Sequence, residues 1–197
     1  MPPSRRDELI DAAVKVFYRH GFHSTSLDRV LSEGGISRMT LYNHFKSKEE
    51  LIVAALRRRD EVFRNRMMRF VESRASDPVD RIMAVFDFHA RWFGEKGFRG
   101  CMFINASAEF CDTESVVRRF AAETKRSVVR YLREQCEAAG LRGAGVLSEQ
   151  LNILLEGSIV SAQIMGQVEG NGGPPEHSAE LAKAAAERLI EGARVEA

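Results

Sequence analysis

An all-α fold of about nine helices is predicted, on three observations. Apolar residues recur at spacings of three and four, which places them on one face of a helix. The segments that carry this period are separated by Gly, Pro and capping residues. No segment alternates apolar and polar residues as a half-buried strand does, and no internal repeat or low-complexity tract interrupts the pattern.

The first helix, about Arg5 to His20, puts Ile10, Ala13, Val14 and Phe17 on one face and stops at Gly21, as a C′ glycine dictates. A second starts near Ser26, turns Leu27, Val30 and Leu31 inward, and ends at Gly34 and Gly35. Ser37 is the N-cap of a third, from Arg38 to about His44; Ile36 before the cap and Leu41 after it form a hydrophobic staple. Ser47, Lys48, Glu49 and Glu50 make a capping box that opens a fourth helix. No Gly or Pro follows until Pro78, so this helix runs to about Glu72, on the order of 40 Å at the rise of an α-helix.

Asp77-Pro78 begins a fifth helix that reaches about Phe93 before Gly94 and Gly97 break it. A short sixth spans about Cys101 to Cys111, and Thr113, Glu114 and Ser115 cap a seventh that extends to about Ala139. Residues 141–145 read as a loop. An eighth helix follows from about Leu147 to Val168, then the loop composition GNGGPP, then an Ala-rich ninth from about Glu176 to Arg194.

Composition excludes several classes. An apolar content of 44% is ordinary for a soluble globule able to bury a core. No run approaches the roughly 18 apolar residues of a membrane span, and the start MPPSRRDELIDAA lacks the apolar segment of a signal peptide. No membrane partner and a cytoplasmic location are therefore expected. Cys101, Cys111 and Cys136 are far apart with no C-x-x-C pair, so they read as reduced thiols. No metal site or cofactor is expected, since no ligand pair stands at i, i+4 with a third nearby. There is no H-E-x-x-H, G-x-S-x-G or P-loop, and the His residues fall in different elements or flank the Gly21 turn, so the chain does not read as an enzyme.

The stretch from Thr25 to Leu51 contains two short helices, a Gly-containing turn and the start of a third, an arrangement that reads duplex DNA. On the third helix, Arg38, Met39, Thr40, Tyr42, Asn43 and His44 face outward and include planar or charged donors suited to phosphates and base edges, while Leu41 and Phe45 hold it down. A packing element with no nucleic-acid role also carries Ser caps and Gly turns. The joint occurrence of turn, caps and an exposed Thr-x-Tyr-x-His face favours the DNA reading. Charge agrees: residues 1–74 hold 15 Lys+Arg against 10 Asp+Glu, and residues 75–197 hold 14 against 18, so a polyanion is attracted to the amino-terminal part.

At these residues, from about Arg6 to Leu51, the chain resembles the tetracycline-repressor (TetR) family of bacterial one-component transcription regulators. The family pattern is an apolar helix ending in Gly, here AAVKVFYRHGF, then a Thr/Ser-rich helix start, then a Gly-apolar-Ser element followed by Thr-Leu-Tyr, His-Phe and Lys-Glu, here GISRMTLYNHFKSKEEL. The resemblance implies a helix-turn-helix DNA-binding domain in residues 1–50 and a ligand-binding and dimerisation domain in residues 51–197, bridged by the fourth helix. It implies that Arg38, Met39, Tyr42 and Asn43 face the major groove of a palindromic operator, and that Thr25, Thr40, His44 and Lys48 contact phosphates. Two departures, Leu31 where the family often has a small residue and Gly34 where it often has Ala, bear on the packing of the second helix.

For the second half the resemblance covers only the pattern of helices. Phe63, Met67, Phe70, Phe86, His89, Trp92 and Phe93 concentrate apolar surface where family members enclose an effector, and Asn105 and Glu109 add polar handles for a small hydrophobic molecule. Any one of these aromatics equally fills an ordinary core, and each of the polar groups, Glu109 included, is equally read as a satisfied core group. Cys101 follows Gly100 at a helix start with Lys96 and Arg99 nearby, and some family members with Gly-Cys at a similar point respond to electrophiles or oxidants; a buried structural Cys is the alternative. On the eighth helix Leu147, Leu151, Leu154, Leu155 and Ile159 alternate with Gly157, Ser158, Ser161 and Ala162, which reads as a homodimer interface with the ninth helix or as an intramolecular core.

Overall fold

The computed structural model describes residues 4–166 and 174–194. Among them are nine helices and no strand: α1 (Arg5–His20), α2 (Leu27–Gly34), α3 (Arg38–His44), α4 (Lys48–Glu72), α5 (Pro78–Phe93), α6 (Met102–Glu109), α7 (Val116–Ala138), α8 (Ala144–Ile164) and α9 (His177–Ala193). The expected end of the eighth helix at Val168 and residues 170–173 of the GNGGPP loop lie outside the described residues.

Local chemistry sets the helix starts. The Ser4, Ser26 and Ser37 side chains accept the N–H groups of Asp7, Arg29 and Thr40, so the first three helices share one capping device. Ser47 Oγ accepts the Glu50 N–H at 3.1 Å, but the return bond of this capping box reaches one residue further back, from the Lys46 N–H to Glu50 Oε2 at 2.6 Å. Between α2 and α3 the chain turns at Gly35, whose φ of 60° favours glycine. α8 starts at Ala144, inside the expected loop, because Gly143 at φ 64° makes the N-terminal turn by itself and no side-chain cap is needed. α6 is shorter than expected: the Phe110 N–H closes its last turn on Ala106 O, leaving Cys101 and Cys111 outside its two ends.

The chain divides into two compact units. The first comprises residues 1–64 and 102–124. Here α1, α2 and α3 pack on one another around Leu9, Ala13, Phe17, Phe22, Val30 and Leu41, all essentially inaccessible. Ile36 and Leu41, the staple pair, are both buried, as is Phe45. Gly34 fits tightly: a Cβ there would lie 2.9 Å from Ile36 Cδ1 and 3.1 Å from Ala12 Cβ, so the departure from Ala serves close packing of α2.

The second unit comprises residues 65–101 and 125–197. α9 packs on both α5 and α8 around Ile82, Val85, Phe86, Leu147, Leu151, Leu155, Ala186 and Ile190. Leu147, Leu151, Leu155 and Ile159, read as a dimer interface or as an intramolecular core, belong to the core of the unit itself. The exposed apolar face of α8 is a different one, formed by Val146, Ile153, Val160 and Ile164, with Leu181 exposed on α9. No helix among the described residues is long and apolar enough to cross a membrane.

Candidate functional site

α3 is seven residues long and is held by buried Leu41 and Phe45. That anchoring turns the remaining side chains out. Arg38, Met39, Tyr42, Asn43 and His44 are exposed, Met39 at 75% and Tyr42 at 63%, unusually high for large apolar or aromatic groups. Tyr42, Asn43 and His44 make no side-chain hydrogen bond or ion pair among the described residues. Such a face leaves its donors and apolar groups available to another surface, and base edges with thymine methyl groups match both.

The residues expected at phosphates divide. Thr40 is half-buried, its hydroxyl 3.0 Å from Ser37 Oγ. Thr25 is fully buried and its hydroxyl donates to Gly21 O at 2.7 Å, so its side chain serves the turn between α1 and α2. Lys48, the first residue of α4, donates to His23 O at 3.2 Å. Burial pulls the Lys48 pKa below its usual value, and the nearby Glu109 carboxylate opposes that pull.

Two residues of this unit that the sequence did not single out for DNA work complete its geometry. Asp28, in the first turn of α2, lies with both carboxylate oxygens 2.7 Å from Arg38 Nη2. Glu109, the last residue of α6, accepts the Phe22 N–H at 3.0 and 2.9 Å and the His23 N–H at 2.6 Å, while His23 Nε2 lies 2.8 Å from Glu109 O and the His23 ring stacks 4.6 Å from Phe110. Of the two readings of Glu109, a ligand handle or a satisfied polar group, the structure favours the second: its carboxylate is engaged with the backbone that follows α1. Gly21 at φ 79° allows this approach, since a Cβ there would lie 2.9 Å from Glu109 Oε1. Neither contact is legible from sequence, because 10 and more than 80 residues separate the partners.

The residues expected at an effector fall in both units. Phe63, with Arg59 over its ring at 5.3 Å, and Asn105 belong to the first. Met67, Phe70, Phe86, His89, Trp92, Phe93 and Cys101 belong to the second. Among these His89, Trp92 and Phe93 form a packed cluster with Phe98, Trp92 standing edge-on to Phe98 at 5.0 Å. Phe70 packs on Phe88 at 5.7 Å, and the Arg74 guanidinium lies over the Phe70 ring at 4.4 Å. His89 Nδ1–H donates to Val85 O at 2.8 Å, and burial lowers its pKa to about 4 against that hydrogen bond, so the ring is neutral at physiological pH.

Cys101 is buried, and the cation beside it is Lys125 of α7. The Lys125 ammonium donates to Glu156 Oε1 at 2.7 Å, and the Cys101 side chain is near enough to act on its charge. Burial alone would lower the Lys125 pKa; Cys101 and Glu156 together raise it above its usual value. Among the described residues no group of His, Cys, Asp and Glu is arranged to hold a metal ion.

Comparison with known proteins places both halves of the chain. The family model described as "Bacterial regulatory proteins, tetR family" matches residues 9–55, and that described as "Tetracyclin repressor-like, C-terminal domain" matches residues 78–181. The chain is 26% identical over 133 residues to the HTH-type transcriptional repressor NemR of Escherichia coli, a match covering 67% of each chain. It is 28% identical over 151 residues to the HTH-type transcriptional regulator LmrA of Bacillus subtilis, covering 74% of this chain and 70% of LmrA. The fold matches that of SCO4454, a TetR-family transcriptional regulator from Streptomyces coelicolor, with a TM-score of 0.85 at 25% identity, over 96% of this chain and 95% of that one.

Proposed function

The chain belongs to the TetR family of bacterial regulatory proteins, and from that premise we propose that it is a repressor released from a palindromic operator by a small hydrophobic or electrophilic effector. It is a DNA-binding transcriptional regulator, not an enzyme. The reading head lies in residues 1–50, and residues 51–197 sense and dimerise. The observation that carries the proposal is the face of α3, where Arg38, Met39, Tyr42 and Asn43 stand exposed above buried anchors. They read base edges in the major groove; Thr40, His44 and Lys48 contact phosphates, and buried Thr25 orients the turn before α2.

One recognition helix reads few base pairs, and two spaced about one helical turn apart read a palindrome, so the protein acts in the cytoplasm as a homodimer. The exposed stripe Val146, Ile153, Val160 and Ile164 supports self-association through α8, with Leu181 of α9. The effector is received by Met67, Phe70, Phe86, His89, Trp92, Phe93 and Cys101. The contact between Cys101 and Lys125 supports the electrophilic branch, because an adjacent ammonium stabilises negative charge gathering on sulfur as it attacks. α4, continuous from Lys48 to Glu72, is the lever that links effector occupancy to the separation of the two reading heads.

The test is reciprocal linkage. A duplex selected from a random pool by the full-length protein is titrated in the absence and presence of lipophilic drugs, aldehydes and quinones. An effector weakens DNA binding by about 5- to 150-fold, and DNA weakens effector binding by the same factor. Compounds that bind the second half yet leave DNA affinity unchanged refute the release mechanism.

A further inference from the structure

We propose that Asp28 is a positioning residue for base recognition, holding the Arg38 guanidinium for a guanine in the major groove. The inference rests on α3 being the recognition helix. Arg38 is the first residue of α3, and no acidic residue stands in the first turn of that helix. A cation there faces the positive end of its own helix dipole, an unfavourable place that invites an anion from elsewhere. Asp28 supplies it from the first turn of α2, with both oxygens 2.7 Å from Nη2.

The pair is not there to hold the fold. The side chains are 68% and 63% exposed, and exposed ion pairs contribute little to stability because solvent screens them and two long side chains must be ordered. Its consequence is orientation. A free Arg side chain samples many rotamers, whereas this one is tied at a single nitrogen, and its Nη1 and Nε have no partner among the described residues. Nη1 is thus left to donate to O6 or N7 of guanine, the base edge that arginine most often reads.

The carboxylate also has a second effect. Asp28 is exposed beside Arg38, so in a complex its charge would disfavour every duplex, while the ordering of Arg38 would favour only those with guanine in register. Removing Asp28 should therefore move the two classes of DNA in opposite directions. A carboxylate that merely repels DNA would move them together.

The experiment uses the full-length protein and duplexes derived from one selected out of a random pool, varied through all four base pairs at each position. Wild type, Asp28→Ala, Asp28→Asn, Arg38→Ala and the double variant Asp28→Ala/Arg38→Ala are titrated at one salt concentration, with thermal melts to show that each is folded. Wild type should prefer guanine at one position per half-site by on the order of tenfold, the scale of a single good base contact. Both Asp28 variants should lose most of that preference and bind random-sequence duplex more tightly than wild type. Arg38→Ala should lose the same preference, and the double variant should lose no more. Asp28 variants that keep the guanine preference and gain affinity for all duplexes alike overturn the proposal while sparing the recognition-helix reading. An Arg38→Ala variant with unchanged base preference overturns both.

Discussion

Glu109→Ala tests how the turn after α1 is held. The wild-type carboxylate accepts the N–H groups of Phe22 and His23, at distances down to 2.9 and 2.6 Å. A hydrogen bond to a charged group contributes about 1.5 to 3 kcal/mol net, and a buried donor left without a partner costs about 1 to 3 kcal/mol. Phe22 is buried and its N–H would be stranded, whereas His23 is exposed and its N–H can be rehydrated. The loss should therefore be about 2 to 4 kcal/mol rather than the sum of two full bonds. Glu109→Gln keeps one acceptor oxygen and should lose about half as much. Glu114→Ala, which breaks an exposed pair with Arg119, should lose under about 0.5 kcal/mol and serves as the control. Urea unfolding of the three variants gives the comparison, provided the m-values agree. A Glu109→Ala midpoint indistinguishable from that of Glu114→Ala would refute the reasoning, since the N–H groups would then have found other acceptors at no cost.

His89 predicts a pH dependence. Its folded pKa of about 4 lies below the unfolded 6.5, so below pH 6.5 the unfolded chain takes up a proton that the folded one refuses. Stability from this residue is full above about pH 6.5 and falls by roughly 3 kcal/mol on descending to pH 4; the difference between wild type and His89→Gln in denaturant melts across that range should show it, and parallel curves would contradict it. Ile153→Glu places a charge in the exposed stripe of α8 and should convert dimer to monomer in sedimentation without lowering the monomer's melting temperature much, because Ile153 is 67% exposed. Cys101→Ser should abolish release of DNA by electrophiles and spare release by reversible ligands, and Lys125→Gln should slow alkylation followed by mass spectrometry; equal rates in wild type and Lys125→Gln would remove the lysine from the chemistry.

What the sequence disclosed, and what it did not, follows from range. Ser4, Ser26 and Ser37 announce three helix starts because a cap and its N–H partner are three residues apart. The staple of Ile36 and Leu41 and the buried Phe45 are local in the same sense, so the exposed face of α3 is legible in the sequence. On α8 the helix period was legible but its phase was not. Two apolar stripes on different faces, Leu147-Leu151-Leu155 and Val146-Ile153-Val160, compete for the core, and the buried one is decided by α9 and α5 packing on that side. The partners of Glu109 and Lys125 escaped for another reason: one engages backbone more than 80 residues away and the other a carboxylate 31 residues away, and no periodicity records such pairings. Thr25 carries a family signature, yet its hydroxyl is spent on Gly21 O, a role that resemblance cannot distinguish from a phosphate contact.

If α3 is the element that reads DNA, operator affinity for wild type, Arg38→Ala and Tyr42→Ala on a selected palindromic duplex is the most direct measurement of it. Both side chains are exposed and remote from the core, so both variants should fold as wild type does. Arg38→Ala should lose about 1 to 3 kcal/mol of binding on the preferred duplex and relax selectivity at one position per half-site. Tyr42→Ala should weaken the same complex. Unchanged affinity and base preference in both variants would contradict the account and require another surface of the protein to meet the DNA.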